Sequence, residues 1–150
     1  MTLSQKETTL LQDLKSAEEL CIQKYAKYAS DACDGALKNL FTEICQTEQK
    51  HYDTISNFLG ESASGTSTGA DVFQQTQTGN NPSCDSNGKQ ADKYLCEDVL
   101  SMEKHVSSVY DTCIFEFKDP GIRNTLNSIQ KEEQQHGEKI YNYMSQNGMY

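Results

Sequence analysis

Apolar side chains recur at alternating intervals of three and four residues along four segments of the chain. Amphipathic helices that pack into a bundle show this spacing. The first two segments carry Leu11, Leu14, Cys21, Tyr25, Tyr28 and Ala32, then Leu37, Phe41, Ile44, Ile55 and Phe58. The other two carry Cys96, Val99, Val106, Tyr110, Cys113 and Phe117, then Ile122, Leu126, Ile129, Ile140 and Tyr143. The pattern therefore predicts an all-α protein built as a four-helix bundle.

Helix-start signals fall at the edges of these segments. Ser4 and Glu7 have the spacing of a capping box before the first segment. Asp34 precedes the second segment and Asp119 precedes the fourth, where Pro120 follows at once. Aspartate is a favoured N-cap residue, and proline is favoured at the first helical position. We therefore expect the first, second and fourth helices to begin at these three signals.

The segment between the two halves of the chain is rich in Gly, Ser, Thr, Asn and Gln, and its only large apolar residues are Val72 and Phe73. We expect hairpins at 4–59 and 91–146, joined by a crossover loop at 60–90 within one domain. A helix of about 24 residues spans about 36 Å, and about 30 extended residues can cover that distance. The loop is therefore long enough for an up-down-down-up bundle, in which helices two and three run parallel.

Charged and polar residues fill the gaps in the four apolar stripes. They are Glu18; Glu48 and His51; Glu103; and Glu133 and His136. Each member of the second half lies 85 residues after its counterpart in the first half. This single offset predicts an internal duplication of a helical hairpin, with all six side chains directed into the core.

Four carboxylates buried together repel one another and are costly to desolvate. Two divalent cations would balance their charge, and two imidazoles complete a mixed oxygen and nitrogen donor set. One Glu from each of two helices, with Glu-x-x-His from each of the other two, is the ligand set of ferritin-like carboxylate-bridged sites. We expect two metal ions per chain, iron first and manganese as the alternative, with zinc as an adventitious occupant. The competing interpretation is a protonated or ion-paired network without metal.

Two tyrosines lie seven residues after the first candidate ligand glutamate of each half. Tyr25 follows Glu18, and Tyr110 follows Glu103. Helical side chains lean toward the N-terminus, so both phenols should tilt toward the glutamate layer. We take them as candidate catalytic residues that bond a ligand carboxylate or supply an electron to an oxidised metal pair. The alternative is that they are ordinary aromatic core residues.

Composition excludes several classes of function. The formal net charge is −9, without the clusters of Lys and Arg that bind nucleic acid. No stretch has the length and hydropathy of a membrane span, and the N-terminus lacks the pattern of a signal peptide. We expect synthesis in the cytoplasm. The six cysteines contain no Cys-x-x-Cys pair, which argues against rubredoxin-type and zinc-ribbon sites. We expect most of them to be small buried residues or free thiols.

Parts of the chain resemble known families. The stretch from Leu14-Lys15 to Cys21-x-x-Lys24-Tyr25, with Thr47-Glu48-Gln49-Lys50-His51-Tyr52, resembles the ferritin-like superfamily. Asp98-Val99-Leu100, Glu103-Lys104 and the ending Tyr143-Met144-Ser145-Gln146-Asn147-Gly148-Met149-Tyr150 resemble the spore coat protein F family of spore-forming Firmicutes. The resemblance implies a ferritin-like bundle, a location in the spore coat and other coat proteins as partners.

Three functions are compatible with these observations. The first is a spore coat protein with a di-iron or di-manganese centre, an oxidoreductase of the ferroxidase or peroxide-scavenging type. The second is a purely structural coat protein with a vestigial or metal-free site, crosslinked through Cys33, Cys84, Cys113 or Tyr150. The third is a ferritin-like protein for iron storage or detoxification. Whether the chain is an enzyme and whether it forms a homodimer stay open.

Overall fold

The computed structural model describes residues 2–61 and 84–150, which form four α-helices and no strand. The helices are α1 (Gln5–Asp31), α2 (Gly35–Phe58), α3 (Ser86–Glu116) and α4 (Pro120–Gln146). The predicted all-α bundle is confirmed for this part of the chain. Most of the predicted crossover loop, including Val72 and Phe73, lies outside the described residues.

The predicted helix starts are confirmed at three of the four helices. Ser4 Oγ accepts the Glu7 N–H at 3.1 Å, and Glu7 Oε2 accepts the Ser4 N–H at 2.8 Å. Asp34 caps α2 through the Ala36 N–H, and Asp119 caps α4 through the Ile122 N–H. These side chains satisfy backbone donors that the first helical turn leaves without partners.

Helix α3 begins earlier than the sequence pattern predicts. It starts at Ser86, whereas the second hairpin was expected to start at residue 91. Asp85 acts as the N-cap and accepts the Gly88 N–H at 2.7 Å. The first turn of α3 carries little apolar patterning, so its start depends on this cap rather than on a buried stripe.

The apolar stripes form the core. Of the residues predicted to be buried there, only Tyr28, Phe58 and Tyr143 are half-buried, and the others are buried. Tyr25 and Phe41 pack with their ring centroids 5.7 Å apart. The period of the stripes therefore identifies the inner face of each helix.

Helices of the two hairpins pack in antiparallel pairs. Helix α1 packs against α2 and α3, and α4 packs against α3 and α2. Tyr28 near the end of α1 meets Asp98 in the first half of α3. Glu43 in the first half of α2 meets Lys139 in the second half of α4. Helix α1 thus lies antiparallel to α3, and α2 lies antiparallel to α4.

Each hairpin turn is anchored by a carboxylate from the other hairpin. Asp92 on α3 is 1 % exposed and accepts the N–H groups of Cys33 and Asp34 at 2.8 and 3.0 Å. Glu7 on α1 accepts the Lys118 N–H at 3.3 Å. Positions 7 and 92, like 33 and 118, differ by 85. The offset of 85 residues therefore also relates the contacts that fix the two turns.

The same symmetry relates two basic side chains at the helix ends. Lys38 Nζ donates to two carbonyl groups in the last turn of α1, at 3.3 and 2.9 Å. Arg123 Nη1 donates to two carbonyl groups at the end of α3, at 2.9 and 3.1 Å. A cation at a helix C-terminus satisfies free carbonyls and interacts favourably with the helix dipole.

Most of the cysteines were expected to be small buried residues or free thiols, and one pair departs from this expectation. Cys33 in the α1–α2 turn and Cys84 before α3 form a disulfide. The early start of α3 brings Cys84 to this turn, a proximity that the sequence pattern did not reveal. The other cysteines, Cys21, Cys45, Cys96 and Cys113, are free and buried.

The expectation that Cys113 is accessible for crosslinking is also wrong. Cys113 is fully buried, with Sγ 3.9 Å from the Leu10 carbonyl oxygen. It belongs to the inner face of α3, although it lies near a hairpin turn.

Among the described helices, none is both long and apolar enough to cross a membrane.

Candidate metal centre

The four helices bring the six predicted ligand side chains into one layer of the bundle interior. Each of the six is at most 4 % exposed. They are Glu18 on α1, Glu48 and His51 on α2, Glu103 on α3, and Glu133 and His136 on α4. Each pair on one helix is three residues apart, so both side chains share a helix face.

The ligand atoms fall into two overlapping groups. Glu18 and His51 belong to the first group, and Glu103 and His136 belong to the second. Glu48 and Glu133 belong to both. Within each group the candidate ligand atoms lie within 4.8 Å of one another. The two shared glutamates are therefore the pair that could bridge two metal ions.

Both histidines face the shared glutamates through the same ring nitrogen. His51 Nδ1 lies 2.9 Å from Glu133 Oε1 and 3.3 Å from Glu48 Oε2. His136 Nδ1 lies 2.9 Å from Glu48 Oε1 and 3.4 Å from Glu133 Oε2. The two rings are stacked, with centroids 6.0 Å apart. In both hairpins Nδ1 is thus the atom available for a metal.

The two candidate catalytic tyrosines contact the layer across the hairpin boundary. The Tyr25 hydroxyl donates to Glu103 Oε1 at 2.5 Å, and the Tyr110 hydroxyl donates to Glu18 Oε1. Each phenol thus reaches the glutamate of the other hairpin rather than the one on its own helix. Burial and the nearby carboxylates raise the pKa of both tyrosines well above its ordinary value, so both keep their protons.

Burial and mutual repulsion hold protons on part of the carboxylate cluster. Burial raises the pKa of Glu48 well above its ordinary value, and a neighbouring carboxylate adds to the effect. Burial, together with the hydrogen bond to Glu133, raises the pKa of Glu103 to about 8. Burial also opposes ionisation of Glu133, but hydrogen bonds from Glu103, His136 and His51 outweigh it and lower its pKa.

The pKa values of the two histidines are also raised, but in spite of burial rather than because of it. Burial by itself would lower the pKa of His136, but hydrogen bonds to Glu103, Glu133 and Glu48 raise it to about 11. The same balance raises the pKa of His51. Without metal, the cluster therefore holds protons on its imidazoles and on some of its carboxylates.

Among the described residues, three buried oxygens of the layer have no hydrogen-bond partner. They are Glu18 Oε2, Glu103 Oε2 and Glu133 Oε2. Buried polar atoms in folded proteins almost always have a partner, so these acceptors are compatible with a bound cation. Four carboxylates with two imidazoles form a donor set that suits iron or manganese. On this observation, the side chains present fit two divalent metal ions.

One residue of the layer's surroundings was missed by the sequence analysis. Glu132 Oε2 lies 2.6 Å from His51 Nε2, on the side of the ring that faces away from the shared glutamates. The Glu132 side chain is 48 % exposed, so its position outside the apolar stripe indicated only a solvated face. The antiparallel register of α2 and α4, which brings the two residues together, was not available from the sequence.

Two cysteines were predicted to lie beside the ligand layer, and one histidine was predicted to lie on the surface. Cys21 and Cys45 are buried beside the layer. Burial, aided by Glu48, raises the pKa of both thiols, that of Cys45 to about 11. His105 points away from the stripe and is exposed, as expected. Both thiols therefore keep their protons at neutral pH in the metal-free protein.

Comparison with known proteins finds a family match in the C-terminal part of the chain. Residues 91–150 match the Coat F domain, a stretch that contains α4 and most of α3. No curated protein and no solved structure matches the chain. The resemblance to the spore coat protein F family is thereby confirmed over residues 91–150.

Proposed function

We propose that this chain is a spore coat protein that holds two metal ions in a carboxylate-bridged centre and reacts there with oxygen or peroxide. The Coat F match supports the coat location and coat proteins as partners. The observation that carries the metal centre is the pair of overlapping ligand groups that share Glu48 and Glu133. Orphaned buried acceptors in the same layer support it further.

The proposal includes a ferritin-like fold with up-down-down-up topology. The ligand set, with Glu from two helices and Glu-x-x-His from the other two, is that of ferritin-like carboxylate proteins. The antiparallel contacts between α1 and α3 and between α2 and α4 agree with this topology. The offset of 85 residues between equivalent positions supports an origin by duplication.

Each side chain has a distinct part in the proposed centre. Glu18 and His51 would hold one ion, and Glu103 and His136 the other; the shared glutamates would bridge the two. A bound pair of iron or manganese ions would supply two-electron redox chemistry toward oxygen or peroxide.

The protein around the centre orients it and keeps it dry. Tyr25 and Tyr110 donate to Glu103 and Glu18, which fixes the orientation of these two carboxylates. The aliphatic side chains of the apolar stripes exclude water from the layer. As the redox-active side chains nearest the ligands, the two tyrosines are the proposed electron donors.

Metal analysis of the full chain tests the proposal. The protein is loaded anaerobically with Fe(II) or Mn(II), desalted, and its metal content is measured by mass spectrometry. We expect two ions per wild-type chain and fewer than one in Glu48→Gln, which removes a bridging carboxylate with little change of shape. Glu19→Gln, at an exposed position beside Glu18, should retain both ions.

Activity is measured separately on the loaded protein. Wild-type protein should oxidise Fe(II) or consume peroxide faster than Glu48→Gln does. The proposal fails if wild type retains no more metal than Glu48→Gln when circular dichroism shows that both are folded. If the protein retains two ions but shows no turnover, the proposed metal centre is supported and the proposed oxidoreductase activity is contradicted.

A purely structural role is the second candidate, and the charge state of the cluster favours it. Raised pKa values of Glu48, Glu103 and His136 let protons neutralise the layer without any metal. In that case a Glu48→Gln protein should assemble into the spore coat as well as wild type does. Loss of coat incorporation in Glu48→Gln would argue for a metal-dependent role instead.

A further inference from the structure

The duplication makes His51 and His136 equivalent, but their outer ring nitrogens have different surroundings. His51 Nε2 lies 2.6 Å from a carboxylate oxygen of Glu132. The position equivalent to Glu132 in the first hairpin, 85 residues earlier, is Thr47. The Thr47 hydroxyl donates to the Glu43 carbonyl of its own helix at 3.4 Å. Within the described chain, no carboxylate pairs with His136 Nε2.

A carboxylate behind a histidine ligand has known consequences. It accepts the proton of the outer nitrogen, fixes the ring orientation and makes the inner nitrogen a stronger donor to the metal. Here the inner nitrogen of His51 is Nδ1, which already faces Glu48 and Glu133. The contact between Glu132 and His51 therefore has the geometry of such a support, on one side of the layer only.

We propose that Glu132 is a positioning residue for His51 and makes the two metal positions unequal. The position formed with Glu18 and His51 binds its ion more tightly and fills first, and the position formed with Glu103 and His136 fills second. This inference rests on the proposed metal centre and adds an order of filling to it.

Titration of the metal-free full chain with Mn(II) tests the order of filling. Free Mn(II) is followed by electron paramagnetic resonance, which also distinguishes an isolated bound ion from a coupled pair. Wild type should bind in two steps, and the isolated-ion signal should appear before the coupled-pair signal. Glu132→Gln should weaken the tighter step by about 10- to 100-fold and leave the weaker step unchanged.

Two further variants serve as matched controls. Thr47→Glu introduces a carboxylate at the position equivalent to Glu132. It should strengthen the weaker binding step, so that the affinities of the two steps become similar. Glu138→Gln removes an exposed carboxylate from the same helix and should change neither step.

A metal-free measurement tests the positioning role directly. In nuclear magnetic resonance spectra of the metal-free chain, the Nε2 proton of His51 should exchange with solvent more slowly than that of His136. Glu132→Gln should remove this difference without changing the His136 signals. Equal exchange rates in wild type would overturn the positioning role.

The results separate this inference from the proposed function. Binding of two Mn(II) ions with equal affinity, or a Glu132→Gln protein with unchanged steps, would overturn the inference and leave the metal centre standing. Failure of wild type to bind any Mn(II), Fe(II) or Co(II) would overturn both.

Discussion

At the residue scale, the main feature is the exchange of hydrogen bonds between the two hairpins. Tyr25 donates to Glu103, and Tyr110 donates to Glu18, although each tyrosine lies on the same helix as the other glutamate. Sequence spacing identified these four residues because their helical period directs them into the core. It could not identify the partners, since the register between α1 and α3 depends on how the hairpins dock.

We expect Tyr25→Phe to destabilise the metal-free protein by about 1–3 kcal/mol, because it leaves a buried Glu103 oxygen without its donor. Urea denaturation followed by circular dichroism measures this change. The control is Tyr28→Phe, whose hydroxyl donates at 2.6 Å to Asp98, a side chain that is 30 % exposed. Water can replace that donor, so the control should lose less. Equal losses in the two variants would contradict the importance of the buried contact.

At the element scale, helix starts and ends explain which parts of the fold the sequence predicted. Caps at Ser4, Asp34 and Asp119 stand beside apolar stripes, so pattern and capping chemistry agree there. At Asp85 the cap precedes a weakly patterned turn, and the start of α3 was placed too late. The anchors Glu7 and Asp92 were missed for a related reason, since polar residues in first turns are common and their partners lie on another hairpin.

Two helical glycines lead to opposite expectations. A Cβ at Gly137, within α4, would meet only Leu100 Cδ1 at 3.7 Å, which is ordinary van der Waals contact. Gly137→Ala should therefore stabilise the protein by about 1 kcal/mol through helix propensity. A Cβ at Gly88 would lie 2.9 Å from Cys33 Sγ, which the disulfide holds in place. Gly88→Ala should therefore destabilise the protein.

Thermal denaturation of both variants checks these expectations. If Gly137→Ala lowers the melting temperature, another molecule or a different side-chain packing must occupy the space beside Gly137. A stable Gly88→Ala would show that the disulfide can shift away from α3.

At the scale of the whole molecule, the disulfide closes the chain around α2 and the connection to α3. Cys33 and Cys84 are 51 residues apart in sequence. The sequence predicted Cys33 and Cys84, together with Cys113, as crosslinking candidates, but not as partners of each other. Their pairing depends on where Cys84 meets the first hairpin turn. The bundle was predictable from local periodicity, whereas this long-range closure was not.

The disulfide should stabilise the fold by restricting the unfolded chain. For a closed loop of this length, chain-entropy estimates give about 4 kcal/mol, which corresponds to a melting temperature higher by roughly 10 °C for a chain of this size. Reductant should therefore lower the melting temperature of wild type and have no effect on Cys84→Ser. Identical melting curves with and without reductant in wild type would contradict this role.

The ligand layer divides evenly between the two halves of the chain. Residues 91–150, the stretch that matches the Coat F domain, contain Glu103, Glu133 and His136. These three side chains supply only one of the two terminal pairs and one of the two bridges. A shorter chain built from this stretch alone could complete such a layer only by docking with a second copy of itself. In the proposed centre all six ligand side chains come from one chain, so metal binding would not depend on protein concentration.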